Sequence, residues 1–168
     1  MHISRIVALV GVVLGVIGLF MKALTTEGEG LLVQLSQADP NFPGGIPTIW
    51  GGLATWAQVV AVIAIVVVVA LVARPPITAP FDRIGAIVVS LIGVSLTAYA
   101  VVKWMDAGDR AEQLEAGFAQ AAAATAIPEA FTVSTGIGFI VLMVGTVLVL
   151  VGGVLALARP GDATAHSV

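Results

Sequence analysis

Between Trp50 and Ala73 the chain reads WGGLATWAQVVAVIAIVVVVALVA, with no charged residue, and Arg74-Pro75-Pro76 ends it. At about 1.5 Å of rise per residue such a helix reaches roughly 36 Å, more than the ~30 Å hydrocarbon core of a bilayer. A soluble core helix would turn a polar side chain outward every third or fourth position. Here only Thr55 and Gln58 are clearly polar. The segment must be solvated by lipid or by other apolar helices, so the expected fold class is an all-α membrane protein.

Three more uncharged runs support that reading. Ile6 to Met21 lies between Arg5 and Lys22. A basic start before an apolar run also fits a signal peptide, but the run is long for one and Lys22 stands where cleavage would begin. A retained first span over 6–24 is expected. Ile84 to Val102 lies between Arg83 and Lys103, and Ala130 to Ala158 carries no charge before Arg159-Pro160-Gly161. The single domain expected over 1–168 therefore holds four transmembrane helices, at about 6–24, 50–73, 84–103 and 130–158, arranged as two hairpins.

The connections differ in kind. Residues 74–83, RPPITAPFDR, form a tight turn. The loop over 25–49 holds Leu31, Leu32 and Leu35 at helical spacing, then breakers at Pro40, Pro43, Gly44, Gly45 and Pro47. A short amphipathic helix is expected there. The loop over 104–129 should begin as a helix continuing out of the membrane. In it Leu114, Phe118 and Ala122 share one face, Asp106, Asp109, Glu112 and Glu115 face water, and Ile127-Pro128 ends the run. The tail, 159–168, closes the chain.

Charge sets the expected orientation. The N-terminus, turn and tail hold Arg5, Arg74, Arg83 and Arg159 against Asp82 and Asp162; the two long loops hold three bases against eight acids. By the positive-inside rule both termini and the turn are cytoplasmic and both loops lie outside. Trp50, Trp56 and Trp104 all fall near the outer ends, where indoles favour the headgroup layer. Lys22 and Lys103, also at outer ends, read as snorkelling interfacial anchors.

An internal duplication is also expected. Ser4-Arg5-Ile6-Val7-Ala8 resembles Asp82-Arg83-Ile84-Gly85-Ala86, Ile46-Pro47 matches Ile127-Pro128, and Ala73-Arg74-Pro75 matches Ala158-Arg159-Pro160. Each half would be span, outer loop, span in the same orientation, a parallel repeat.

Small residues recur in stripes: Gly11, Gly15 and Gly18; Ala57, Ala61 and Ala64; and Gly138, Gly145 and Gly152, seven apart. Small side chains let helix backbones approach and gain dispersion contacts, the main attraction available in lipid. The six named glycines are candidate positions for helix packing within the chain or for docking a partner.

Composition excludes much chemistry. The chain is 59% hydrophobic and 10% charged, where soluble domains carry roughly a quarter charged residues. The absence of cysteine removes disulfides, thiolate metal sites and thiol nucleophiles. His2 and His166 sit in terminal segments, and a net charge of −3 without a basic cluster gives nucleic acid no partner. The acids at 106, 109, 112 and 115 drift around a helix by about 60° per step and do not converge on a cation. No span carries Asp, Glu, Lys, Arg or His in its interior, where proton relays and ion-coupled carriers place them. Ser90, Ser95, Thr97 and Tyr99 give the third span a weakly polar face. No Walker loop, HExxH, GxSxG or dinucleotide fingerprint is present. Neither catalytic residues, a cofactor nor a metal is expected.

Trp-Gly-Gly-Leu at 50–53 superficially resembles the claudin-like tetraspans, but their extracellular cysteine pair is missing. In plan, composition and outer loops the chain is similar to the small four-span accessory membrane proteins of actinobacteria. Among these are the lipid uptake coordinators that accompany Mce lipid transporters; others accompany respiratory supercomplexes. The resemblance implies a non-catalytic accessory subunit that stabilises a larger envelope complex of the bacterial plasma membrane, with lipid transport favoured. It assigns no site residues. The alternatives are a subunit of a respiratory supercomplex and a small stand-alone transporter or lipid-binding membrane protein, which would need a cavity lined by the third span's hydroxyls.

Overall fold

Helix dominates the computed structural model, which describes residues 1–38, 44–124 and 131–158. In chain order it contains α1 (Ile3–Phe20), β1 (Leu24–Thr26), α2 (Glu29–Ala38), a 3-10 turn at Trp50–Gly52, α3 (Thr55–Ala73), α4 (Arg83–Ala123), β2 (Val133–Thr135) and α5 (Gly138–Leu157). By length and composition α1, α3, α4 and α5 can each cross a membrane. The breakers Pro40 and Pro43, the Ile127-Pro128 stop and the 159–168 tail lie outside the described residues.

Local chemistry sets the helix ends. The His2 ring accepts a hydrogen bond from Ser4 N at 3.3 Å, so α1 starts before Arg5 and not after it. Asp82 Oδ1 accepts from Gly85 N at 3.3 Å and caps α4. Such caps contribute about 0.5–2 kcal/mol. Asp82→Ala should therefore lower stability by about 1 kcal/mol in thermal melts, whereas Asp82→Asn should nearly restore it. A helix of 41 residues is roughly 60 Å long, twice the thickness of a hydrocarbon core. Its first half is apolar to Val102; from Lys103 onward it carries charge and extends past the other helices. The continuation expected from the sequence is thus a single unbroken α4.

At the loop-bearing end, three chain segments pair side by side. β1 and β2 run antiparallel with Leu24 opposite Thr135 and Thr26 opposite Val133. Gly136 N donates to Ala23 O at 2.8 Å and Ala23 N to Pro47 O at 3.0 Å, while Lys22 bridges to Thr48. This ribbon replaces the purely helical or irregular loops expected, because three-residue strands show no alternation to read. Beside it Phe118 and Leu32 are fully buried with Leu24, Ala111 and Val133, and Phe118 meets Phe131 edge-on at 5.6 Å.

A second apolar cluster, with Ala8, Val68, Val72, Phe81, Val89 and Val149, lies at the opposite, turn-bearing end. Between the two ends α5 packs closely along both α1 and α4. α3 is different: it meets α1 sparingly and α4 hardly at all. A two-fold repeat would make the α4–α3 contact match the α1–α5 contact, so the helices are not packed symmetrically.

Candidate functional site

α3 is tied at its two ends and slack between them. At the turn-bearing end the Arg5 guanidinium, only 4% exposed, reaches from α1 across its last turn. Nη1 donates to Val72 O at 2.9 Å, to Leu71 O at 3.4 Å and to Arg74 O, and Nη2 donates to Pro80 O at 3.4 Å. The last carbonyls of a helix have no donor within it, and the macrodipole there favours a cation. Phe81 lies under the same guanidinium, 5.3 Å from ring centre to Cζ. At the loop-bearing end Gln58 Nε2 donates to Trp50 O at 3.0 Å, Trp50 rests 5.9 Å from Phe20, and Trp56 meets Tyr99 of α4 edge-on at 6.0 Å.

Ala57, Ala61 and Ala64 of α3 and Gly11 and Gly15 of α1 border a gap whose other walls include Leu96 and Tyr99 of α4 and Leu142 and Val149 of α5. A cleft of about 250 Å³ results, apolar except for Ser95, Tyr99, Thr146 and Lys103. Thr146 Oγ1 donates to Met143 O at 3.0 Å, while Ser90 and Thr97 donate to Ala86 O and Gly93 O, each at 2.8 Å. Ser95 and Tyr99 are the hydroxyl-bearing residues of α4 that border the cleft.

Above it a second cavity of about 540 Å³ opens beside the protruding half of α4. Lys103, Asp106, Arg110, Gln113, Gly117 and Gln120 line it from one helix face, with steps of three and four residues. Ile49, Leu53 and Lys103 border both cavities, so the two are adjacent. Lys103 Nζ donates to Asp106 Oδ2 at 2.6 Å and lies 5.9 Å from the Tyr99 ring centre. The hydrogen bond from Lys103 holds the Asp106 carboxyl below the usual aspartate range. The pair is fully formed above that lowered value and is lost as pH falls through it. Asp106 borders this open cavity with Lys103 and keeps its side chain 43% exposed, and Asp109, Glu112 and Glu115 are exposed, as the sequence led one to expect. Glu115 also accepts a hydrogen bond on Oε2 from Val133 N at 3.2 Å, at the start of β2.

The glycine stripes lie elsewhere. A Cβ at Gly11 would sit 2.6 Å from Gly145 O and Val149 N, one at Gly18 2.6 Å from Leu142 N, and one at Gly152 2.7 Å from Ser4 O. A Cβ at Gly138 would meet Met21 Cβ at 2.7 Å, and one at Gly145 would meet the Gly11 and Gly15 backbones. These five face the α1–α5 seam. Of the six, Gly15 alone has nothing within 4 Å of an added Cβ, and it borders the cleft. Among the anchors, Lys22 pairs with Glu29 on the surface, and Trp104 Nε1 donates to Thr135 Oγ1 at 3.2 Å, joining α4 to β2. Trp50, Trp56, Lys22, Lys103 and Trp104 all cluster at the loop-bearing end.

Sequence reasoning missed Arg5 as a tie, and it missed the polar face running from Lys103 to Gln120, whose spacing was there to be read. Among the described residues no group of three or more His, Asp or Glu side chains is placed to hold a metal ion. Comparison with family models, with curated proteins and with solved structures finds no match to this chain.

Proposed function

We propose that this chain is a non-catalytic accessory subunit of a larger lipid-transport complex in a bacterial plasma membrane, with both termini cytoplasmic and the ribbon, α2 and protruding α4 outside. The observation that carries it is the apolar cleft between α3 and its neighbours, adjacent to a more polar cavity at the loop-bearing end. A pairing of that kind suits a protein that handles lipid beside a transporter, since it offers hydrocarbon and headgroup surroundings in succession. The absence of Asp, Glu, Lys, Arg and His from the interior of the four apolar stretches supports a role without proton coupling or bond chemistry. The protruding half of α4, braced by β2 and α2, offers a firm surface for the extracytoplasmic part of such a complex.

Affinity purification of the tagged chain in a gentle detergent, followed by mass spectrometry, tests the proposal. Stoichiometric recovery of a lipid transporter is expected. Recovery of an oxidase would move the subunit to a respiratory supercomplex. A lone chain that moves lipid between liposomes would replace the accessory role with a stand-alone transporter, a reading favoured by Ser95 and Tyr99 at the cleft wall.

A further inference from the structure

We propose that the cleft and the cavity above it form one binding site for an anionic glycerophospholipid, with one acyl chain between α3 and α4 and the phosphate at Lys103 and Arg110. The proposal deepens the lipid-handling reading and rests on it, but concerns the isolated chain.

Polarity is the first ground. The lower cavity is almost wholly apolar, the upper one carries two cations, one carboxylate and two glutamines, and they meet at Ile49, Leu53 and Lys103. An amphiphile has that same succession of parts. A dry apolar cavity of about 150 Å³ already admits benzene, so one of about 250 Å³ takes a longer stretch of hydrocarbon.

Charge is the second. Lys103 and Arg110 face Asp106, which leaves the upper cavity one positive charge in excess. A guanidinium fork binds phosphate oxygens through two parallel hydrogen bonds, and an ammonium adds a point charge. Lys103 also stands where α4 changes from apolar to charged sequence, the depth at which headgroups lie. A phosphate there can share the ammonium with Asp106, because Lys donates three hydrogen bonds.

Access is the third. The α3 face beside the cleft carries exposed Val59, Val60 and Ile63, so the gap borders the region lipid tails would occupy. Trp56 and Tyr99 span the α3–α4 gap with ring centres 6.0 Å apart. A partner helix about 10 Å across cannot enter beneath that bridge, whereas a single hydrocarbon chain can.

The test uses the full chain in nanodiscs of phosphatidylcholine containing phosphatidylglycerol of the same acyl composition. Native mass spectrometry after extraction reads what stays bound. One phosphatidylglycerol should be retained, preferred over phosphatidylcholine about tenfold or more, the factor one charge-assisted hydrogen bond supplies. Replacing Lys103 and Arg110 together by glutamine should erase that preference. Gly15→Leu and Ala61→Phe fill the cleft and should reduce retention of both lipids while the chain still elutes as a folded species.

Equal retention of the two lipids by the unaltered chain would overturn the proposal. So would displacement of phosphatidylglycerol by one equivalent of oleic acid, which would make the occupant a free fatty acid. A photoactivatable phosphatidylglycerol, labelled in its acyl chain and applied to the unaltered chain, decides the matter even if both cleft-filling variants misfold. Crosslinks on residues bordering the cleft support the site; crosslinks confined to the outer faces of α1 and α5 reject it. None of these outcomes bears on whether a transporter co-purifies, so the two proposals fail separately.

Discussion

Gly145→Leu is expected to abolish the folded monomer, leaving aggregated or protease-sensitive chain in detergent. A single added Cβ at this position would already lie 2.7 Å from Gly11 O and 2.8 Å from Gly15 Cα. The obstacles are backbone atoms, which cannot rotate aside as a side chain can. On the other side of the seam, Gly11 faces Gly145 O and Val149 N at 2.6 Å. Relief therefore requires α1 and α5 to separate along several turns, giving up the close contacts at Gly18 and Gly152 as well. Overpacking a core costs typically about 1–3 kcal/mol; with backbone on every side, the upper end or beyond is expected. In lipid those dispersion contacts are the principal attraction between helices, so their loss has no hydrophobic term to offset it. Size-exclusion chromatography and thermal melting of Gly145→Leu beside Gly15→Ala make the comparison. Gly15→Ala should melt at or slightly above the parent temperature, because its Cβ meets nothing and alanine favours helix by up to about 1 kcal/mol. If Gly145→Leu instead stays monomeric with an unchanged melting point and loses only a co-purifying partner, the stripe is a docking face.

The contrast between those two glycines marks where sequence reading stops. Four helices long and apolar enough to cross a membrane were legible from their uncharged runs, and the seven-residue spacing of Gly138, Gly145 and Gly152 announced a close-packed face. Which helix that face meets was not legible, since pairing depends on how four apolar cylinders divide the available contacts. Periodicity treats Gly11 and Gly15 alike, yet one faces α5 and the other an open cleft. The cleft is bordered by Ala57, Ala61 and Ala64 of one stripe and by Gly15 of another, small residues far apart in sequence. The β1–β2 ribbon escaped for a different reason: three-residue strands carry no pattern, and their register is set by hydrogen bonds across more than a hundred residues of chain. Arg5 read as a flanking positive charge because the apolar run begins after it. The His2 cap starts α1 earlier and turns that side chain inward, onto carbonyls 66 to 75 residues away.

Arg5→Met should detach the turn-bearing end of α3 while leaving the Phe118 cluster intact. Methionine keeps much of the apolar length of arginine, so the change isolates the guanidinium. Its removal strips donors from the carbonyls of Leu71, Val72, Arg74 and Pro80, and takes a cation from the Phe81 face. Hydrogen bonds to a charged group are worth about 1.5–3 kcal/mol each, and a buried carbonyl left without a donor adds its own penalty. A loss of roughly 3 kcal/mol or more is expected, large against a total stability of about 5–15 kcal/mol. Arg5→Lys should recover less than half of it, because a point charge cannot reach four carbonyls that a planar fork spans. Hydrogen exchange locates the effect: protection should fall first from Val68 to Arg74 and in the 75–81 turn, and last around Phe118. Uniform loss across the chain, or full recovery by lysine, would reject the tie. The consequence for the cleft follows from the same geometry. α3 has few contacts along its middle, so the gap keeps its width only while both ends are held. Arg5→Met should therefore also weaken phospholipid retention, although Arg5 lies at the opposite end of α3 from the lysine and arginine assigned to the headgroup.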